Sequence, residues 1–187
     1  MQKPVKTALD VLKIGVILTI AVGIIFLGYN NFKREVYPIY FEEYVREFSE
    51  KRDVCAYLIF AIIKNESGFN PNAISRADAF GLMQITEDTF EWIAQIRGGR
   101  EVLPDIKSPF YNIMYGTAII ASHLEEFYSE KEALAAYHAG RGAVNEWLSS
   151  TEFSSDGIRL DVIPFPDTEI YVGRVLEAWR MYKRLYK

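Results

Sequence analysis

A chain of 187 residues, half of them hydrophobic and 14% aromatic, has room for one domain with a substantial core and is too apolar to be disordered. Setting aside residues 1–32, which hold three Lys and one Asp, leaves 18 basic and 24 acidic groups, a formal charge of −6; by bulk charge this excludes a nucleic-acid binder. A single cysteine excludes a disulfide framework, and His123 and His138 show no metal-ligand spacing with it or with each other.

From Ile14 to Phe32 the chain carries no charged residue, and Lys3, Lys6 and Lys13 precede that run. Its length sits at the short end of the 17–25 residues, roughly, that cross a bilayer as a helix. The stretch "GYNNFKREV" offers no Ala-x-Ala cleavage site, so residues 1–32 are expected to be a cytoplasmic stub with an uncleaved signal anchor. The lysines predict the N-terminus inside and the remainder on the extracytoplasmic side, a single-pass protein of the cell membrane. Cys55 lies too far along to be a lipidated cysteine after the anchor and reads as a small buried hydrophobe inside "VCAYLIFAII".

Residues 33–37 read as a polar connector, and residues 38–187 as one domain, with Pro38 in the first turn of its first helix. Ile39, Phe41, Tyr44, Val45 and Phe48 fall at helical spacing. Asp53 is placed to cap a second helix from Val54 to about Glu66, whose nearly continuous apolar surface predicts a central, buried element that Gly68 and Pro71 stop. A third helix is expected from Thr86 as N-cap to Gly98-Gly99, a fourth capped by Asn112, and another from about Glu130 to Gly140. "AVNEWLSS" reads as a short helix, "TEFSSDGIRLDVIPFP" as a loop, and the rest as a long terminal helix with Asp167 or Thr168 near its cap. No strand pattern and no repeat is evident, so the fold class is all-α.

Glu66 stands out chemically. The last turn of an apolar helix holds unpaired carbonyls that oppose a carboxylate, and apolar neighbours withhold water; both raise its pKa. A carboxyl that stays protonated near neutral pH suits a general acid in glycosidic cleavage, whereas a solvent-facing Glu at a helix end would have no such role.

The blocks "ESGFNPNAIS", "GLMQI", "NIMYGTAII", "AAYHAG" with "GAVNEWL", and "IPFPDTEIYVGRVL" follow in an order and at spacings that resemble the catalytic domain of family 1 lytic transglycosylases, the soluble type with a lysozyme-like fold. The resemblance extends from Tyr37 to the C-terminus. It implies peptidoglycan glycan strands as substrate and Glu66 as the single catalytic acid and base, followed by Ser67. Ser75 matches a serine that orients the Glu or an acetamido group. Gly81, Leu82, Met83 and Gln84 match the signature lining the cleft, with Met83 and Gln84 touching the glycan. Tyr137 matches a tyrosine beside the catalytic carboxyl, and Tyr115 a structural position. No metal or cofactor is implied, and contact with the membrane is expected through the N-terminal helix alone.

Three positions depart from that family pattern. His138 stands where an Asn is usual, Asp167 where relatives carry Glu, and Asp78 where Gly is customary. His138 and Asp167 are retained as substrate-side residues, and His138 could titrate near neutrality. The resemblance further implies that the muramic acetamido group stabilises the developing charge while Glu66 first donates and then recovers a proton, closing a 1,6-anhydro ring. The alternatives are a hydrolytic muramidase of goose type, or a glycan-binding scaffold with a dead site. Hydrolysis usually needs a second carboxylate. Where goose-type enzymes carry it this chain has Thr86, which leaves Asp78, itself more naturally a loop residue bonding its own backbone.

Overall fold

The structure, a computed structural model, describes residues 8–96 and 105–187. It divides into two units, residues 1–38 and 39–187. Lys3, Lys6 and the expected helix stop at Gly98-Gly99 lie outside the described residues.

The first unit is α1 (Ala8–Val36), whose side chains, among them Leu12, Ile17, Ile24 and Phe26, are exposed. Its 29 residues span about 43 Å at the usual rise, more than the roughly 30 Å of a hydrocarbon core. The helix continues to Val36, through most of the stretch read as a connector, because no Gly or Pro interrupts it between Phe32 and Pro38.

The second unit is built of helices: α2 (Glu42–Arg52), α3 (Ala56–Glu66), α4 (Glu87–Ile96), α5 (Pro109–Glu126), α6 (Glu130–Ala139), α7 (Arg141–Ser149) and α8 (Pro166–Tyr186). Between α3 and α4 a two-residue antiparallel pair, β1 (Ala79–Phe80) with β2 (Ile85–Thr86), holds Ala79 opposite Thr86 and Phe80 opposite Ile85. The all-α class expected from the sequence is what the chain adopts.

The apolar run of α3 explains its place. Leu58 to Ile63 are six consecutive buried residues, so every face of the helix is covered. The broadest cover comes from α8, where Val175 and Tyr182 are fully buried and Tyr182 lies 5.7 Å from Phe60 between ring centres. Each large apolar side chain removed from water here contributes about 1.5–3 kcal/mol. Around this axis α5 packs on α2 and α6, and α6 on α7 and α8. The C-terminus of α3 is thereby delivered to a fixed point inside the domain.

Several expected boundaries move, each for a local reason. Pro38 lies before the turn that leads into α2; that helix starts at Glu42, after Phe41 in the left-handed region at φ 58°. Asp53 does not cap α3. It ends α2 at φ 53°, a conformation that Asp tolerates, with its N–H bonded to the Ser49 carbonyl. Cys55 therefore falls in the short link before α3 and is exposed, not buried, although it is unpaired as expected. Asn112 does not cap α5: Ser108 precedes Pro109 at that start, and Asn112 lies a turn inside the helix, fully buried. Thr86 does cap α4, its hydroxyl accepting from the Thr89 N–H at 3.3 Å, and Ser129 caps α6.

Candidate active site

Glu66 ends α3, and the chain must turn at once, which it does through Gly68 at φ 58°. The Ser67 hydroxyl ties this helix end to the loop that follows, donating to the Leu82 carbonyl at 2.8 Å. Ser75 organises the approach to β1: its Oγ accepts from the N–H groups of Ala77 at 3.2 Å and Ala79 at 3.1 Å.

The loop Gly81–Gln84 is held from beneath by Asn112. Its Oδ1 accepts from the Met83 N–H at 2.7 Å, and its Nδ2 donates to the carbonyls of Phe80 and Ile106, both at 2.9 Å. That approach requires glycine at 81: a Cβ there would lie 2.5 Å from Asn112 Nδ2, and the backbone is left-handed at φ 77°. On α5, Gly116 makes room for Met83, whose sulfur would sit 2.4 Å from a Cβ at that position. Met83 is consequently sealed, with no exposed surface. Gln84, at φ 49°, turns back to the surface and donates through Nε2 to Gly81 O at 2.8 Å and Ala73 O at 3.2 Å.

These elements enclose a cavity of about 740 Å³. Its wall is formed by Glu66 from α3, Ser75 and Ala79 before and in β1, Gln84 and Ile85, Asp88, Thr89 and Trp92 from α4, Ile119 and His123 from α5, Tyr137 and His138 from α6, and Arg141 at the start of α7. Five residues singled out in the sequence, Glu66, Ser75, Gln84, Tyr137 and His138, thus meet in one cleft. Two do not join them. Met83 lies under the floor, its N–H held by Asn112 and its carbonyl by Tyr137, and its side chain is sealed away from the cleft. Asp167 is exposed in the first turn of α8, outside the wall. Asp78 is likewise exposed, at φ 52°, and outside it.

The electrostatics centre on Glu66. Desolvation pushes its pKa up to about 7. The Tyr171 hydroxyl pulls the other way, but it lies outside close hydrogen-bonding geometry and offsets only part of the shift. Tyr137 donates its O–H to the Met83 carbonyl at 2.8 Å. Burial, with the Glu66 charge second, drives the pKa values of Tyr137 and Tyr171 well above the usual phenol value, so both remain hydrogen-bond donors. His138 bonds through Nδ1 to Thr168 Oγ1 at 3.1 Å and stacks on Tyr171 at 4.5 Å. Burial lowers its pKa, and the nearby Asp167 carboxylate only partly opposes this. At the rim Arg141 grips Glu126 with Nε and Nη2 at 2.9–3.2 Å, which depresses the Glu126 pKa.

Sequence reasoning missed Asn112, Tyr171, Asp88, Trp92 and His123 as parts of this site. Tyr171 had a signal, since it follows Thr168 by three residues and so shares a helix face with it. Asp88 sits two residues after Thr86, where a second carboxylate was sought, but only the turn into α4 places it in the cleft wall.

The arrangement is a proton-bearing carboxyl beside hydroxyl and amide groups in a cleft large enough for sugar rings. The fold has relatives among known proteins. The family model described as the transglycosylase SLT domain matches residues 43–158. A soluble lytic murein transglycosylase of Salmonella typhimurium strain LT2 is 31% identical over 158 residues, covering 80% of this chain and 24% of its own. The membrane-bound lytic murein transglycosylase C of Salmonella paratyphi B is 32% identical over 165 residues, 75% of this chain and 45% of its own. Among solved structures, an inactive Glu-to-Gln mutant of the lytic transglycosylase Slt from Pseudomonas aeruginosa superposes with a TM-score of 0.67 at 27% identity, covering 80% of this chain and 25% of that one. The chain therefore spans about a quarter of the length of the soluble relatives it matches.

Proposed function

Because the chain belongs to the transglycosylase SLT family, we propose that it is a membrane-anchored lytic transglycosylase of peptidoglycan, cutting the β-1,4 bond between MurNAc and GlcNAc with Glu66 as acid and base. The observation that carries this reading is the Glu66 carboxyl, held in a cleft wall with its pKa raised to about 7. A group with that pKa is substantially protonated at neutral pH and substantially ionised after giving its proton away, as a single residue acting twice requires.

In the first step Glu66 protonates the bridging oxygen and the C1–O bond of MurNAc breaks, with the acetamido oxygen closing on C1. In the second the Glu66 carboxylate takes the proton of the 6-hydroxyl, O6 attacks C1, and the acetamido oxygen leaves. One glycosidic bond is lost, one anhydro ring is gained, and Glu66 ends protonated as it began. Gln84 and Ser75 are the polar groups assigned to hold the glycan beside it. The neutral Tyr171 hydroxyl stabilises the Glu66 carboxylate between the steps, Tyr137 holds the Met83 carbonyl beside it, and Asp167 acts at a distance, through His138.

The exposed apolar α1 supports the membrane part of the proposal, with the domain on the extracytoplasmic side where its substrate lies. Digestion of purified cell wall followed by mass spectrometry of the muropeptides tests the reaction: products 18 Da lighter than reducing-end fragments, roughly one water, mark the anhydro ring. One observation favours a second outcome, hydrolysis, because Asp88 lines the same cavity as Glu66. Reducing-end products that vanish in Asp88→Asn would establish it.

A further inference from the structure

His123 is 4% exposed, yet it belongs to the cavity wall. Its Nδ1 is buried and, among the described residues, has no hydrogen-bond partner. Aromatic rings surround it: Trp92 stacked at 6.3 Å and 20°, Phe127 at 6.2 Å, and Tyr137 edge-on at 6.5 Å. With Nδ1 closed off, Nε2 is the ring nitrogen left for the cavity. Orphaned buried donors are rarer than orphaned acceptors, so the proton belongs on Nε2 and the buried Nδ1 keeps its lone pair. Trp92, half-buried on α4, extends the same wall.

From this geometry we propose that His123 and Trp92 form a sugar-binding subsite of the cleft, in which His123 Nε2–H donates to a hydroxyl or acetamido oxygen of a neutral pyranose whose C–H face lies on the Trp92 ring. The occupant follows from the chemistry. The negative faces of the surrounding rings do not favour an anion, and desolvation lowers the His123 pKa to about 4, so it stays neutral and holds no special attraction for a stem-peptide carboxylate. Neither residue reaches the reacting atoms in this scheme, and both act in binding. The inference rests on the glycan reading of the cleft and adds the residues that choose a neutral sugar ring.

The test uses the full chain in detergent with Glu66→Gln to stop turnover, titrated with the N-acetylglucosamine tetramer. His123→Phe keeps the stacked ring and removes the donor. Binding is expected to weaken about 3- to 10-fold, the worth of one neutral hydrogen bond, with the melting temperature unchanged. Trp92→Ala should weaken it at least as much. In the Glu66 background His123→Phe should raise KM and leave kcat. A measurement that needs no change at His123 is the 15N signal of its ring, identified as the one that remains in His138→Asn, which should move on adding the tetramer. Equal binding by both variants and a stationary signal would overturn the subsite while leaving the glycan reading intact. A tetramer that does not bind also overturns it, and failure to bind intact cell wall as well would remove the glycan reading itself.

Discussion

The Tyr137 hydroxyl donates to the Met83 carbonyl at 2.8 Å, joining α6 to the Gly81–Gln84 loop across 54 residues of chain. Two of the sequence blocks that resemble the family are thus a single hydrogen-bonded unit beside Glu66. Tyr137→Phe should cost about 1 kcal/mol in urea unfolding, the usual value of one such bond, and lower kcat more than it raises KM. Unchanged unfolding and kinetics would show that the bond contributes nothing.

Glu66→Gln should retain the fold and glycan binding but lose turnover by orders of magnitude, because an amide has no acidic proton for the bridging oxygen. More than about a tenth of wild-type activity in a clean preparation would remove Glu66 from the mechanism.

The same carboxyl ties stability to pH. Its folded pKa of about 7 lies above the ordinary 4.5, so the folded state binds the extra proton between those values. Its contribution to stability is complete below pH 4.5, declines as pH rises, and is gone above 7. Glu66→Gln should therefore be the more stable form at pH 8, by about 1–3 kcal/mol relative to any difference seen at pH 4. Thermal unfolding at the two pH values measures this, and a difference independent of pH would show that Glu66 is not desolvated.

Asn112 makes three hydrogen bonds from a fully buried amide. Asn112→Ala strands the Met83 N–H and two carbonyls, and should cost about 2–4 kcal/mol in equilibrium unfolding. Gly81→Ala should be destabilising through both its clash and its left-handed backbone, and combining it with Asn112→Ala should cost less than the sum, because the clashing atom is then removed.

His138 is hydrogen-bonded to Thr168, stacked on Tyr171, and lowered by burial. It is neutral at pH 7, so the pH profiles of wild type and His138→Asn should superpose from pH 7 upward. A divergence there would mean that the imidazole titrates during the reaction.

Membrane attachment is expected to survive alkaline carbonate washing of the full-length protein, and protease added outside spheroplasts should digest the domain. Protection of the domain would reverse the proposed topology.

The sequence by itself determined what depends on local pattern. Nineteen uncharged residues from Ile14 to Phe32 sufficed to recognise α1, and six consecutive apolar residues, too short a run to span a bilayer, sufficed to place α3 at the centre, because such a run is then stable only when buried on all sides. Glu66 could be singled out from the apolar helix that it ends, whereas Gln84 and Tyr137 were marked only by the resemblance of their blocks to the family. Helix edges were less legible. Asp53 is a plausible cap for the helix after it and an equally good stop for the one before it, and only the backbone at φ 53° separates the two.

Tertiary structure alone decided which side chains face the cleft. Met83 and Gln84 are adjacent in sequence, yet one is sealed beneath the floor and the other lines the wall, because Gly116 leaves space for a sulfur and Gln84 takes a left-handed turn. Asn112, read as a cap, is instead the internal support of the loop 29 residues before it. His123, Trp92 and Tyr171 enter the site from three helices, and nothing in the neighbourhoods of the first two announces it. Such residues acquire their meaning from packing at a distance, since a buried polar atom is informative only when its surroundings are known.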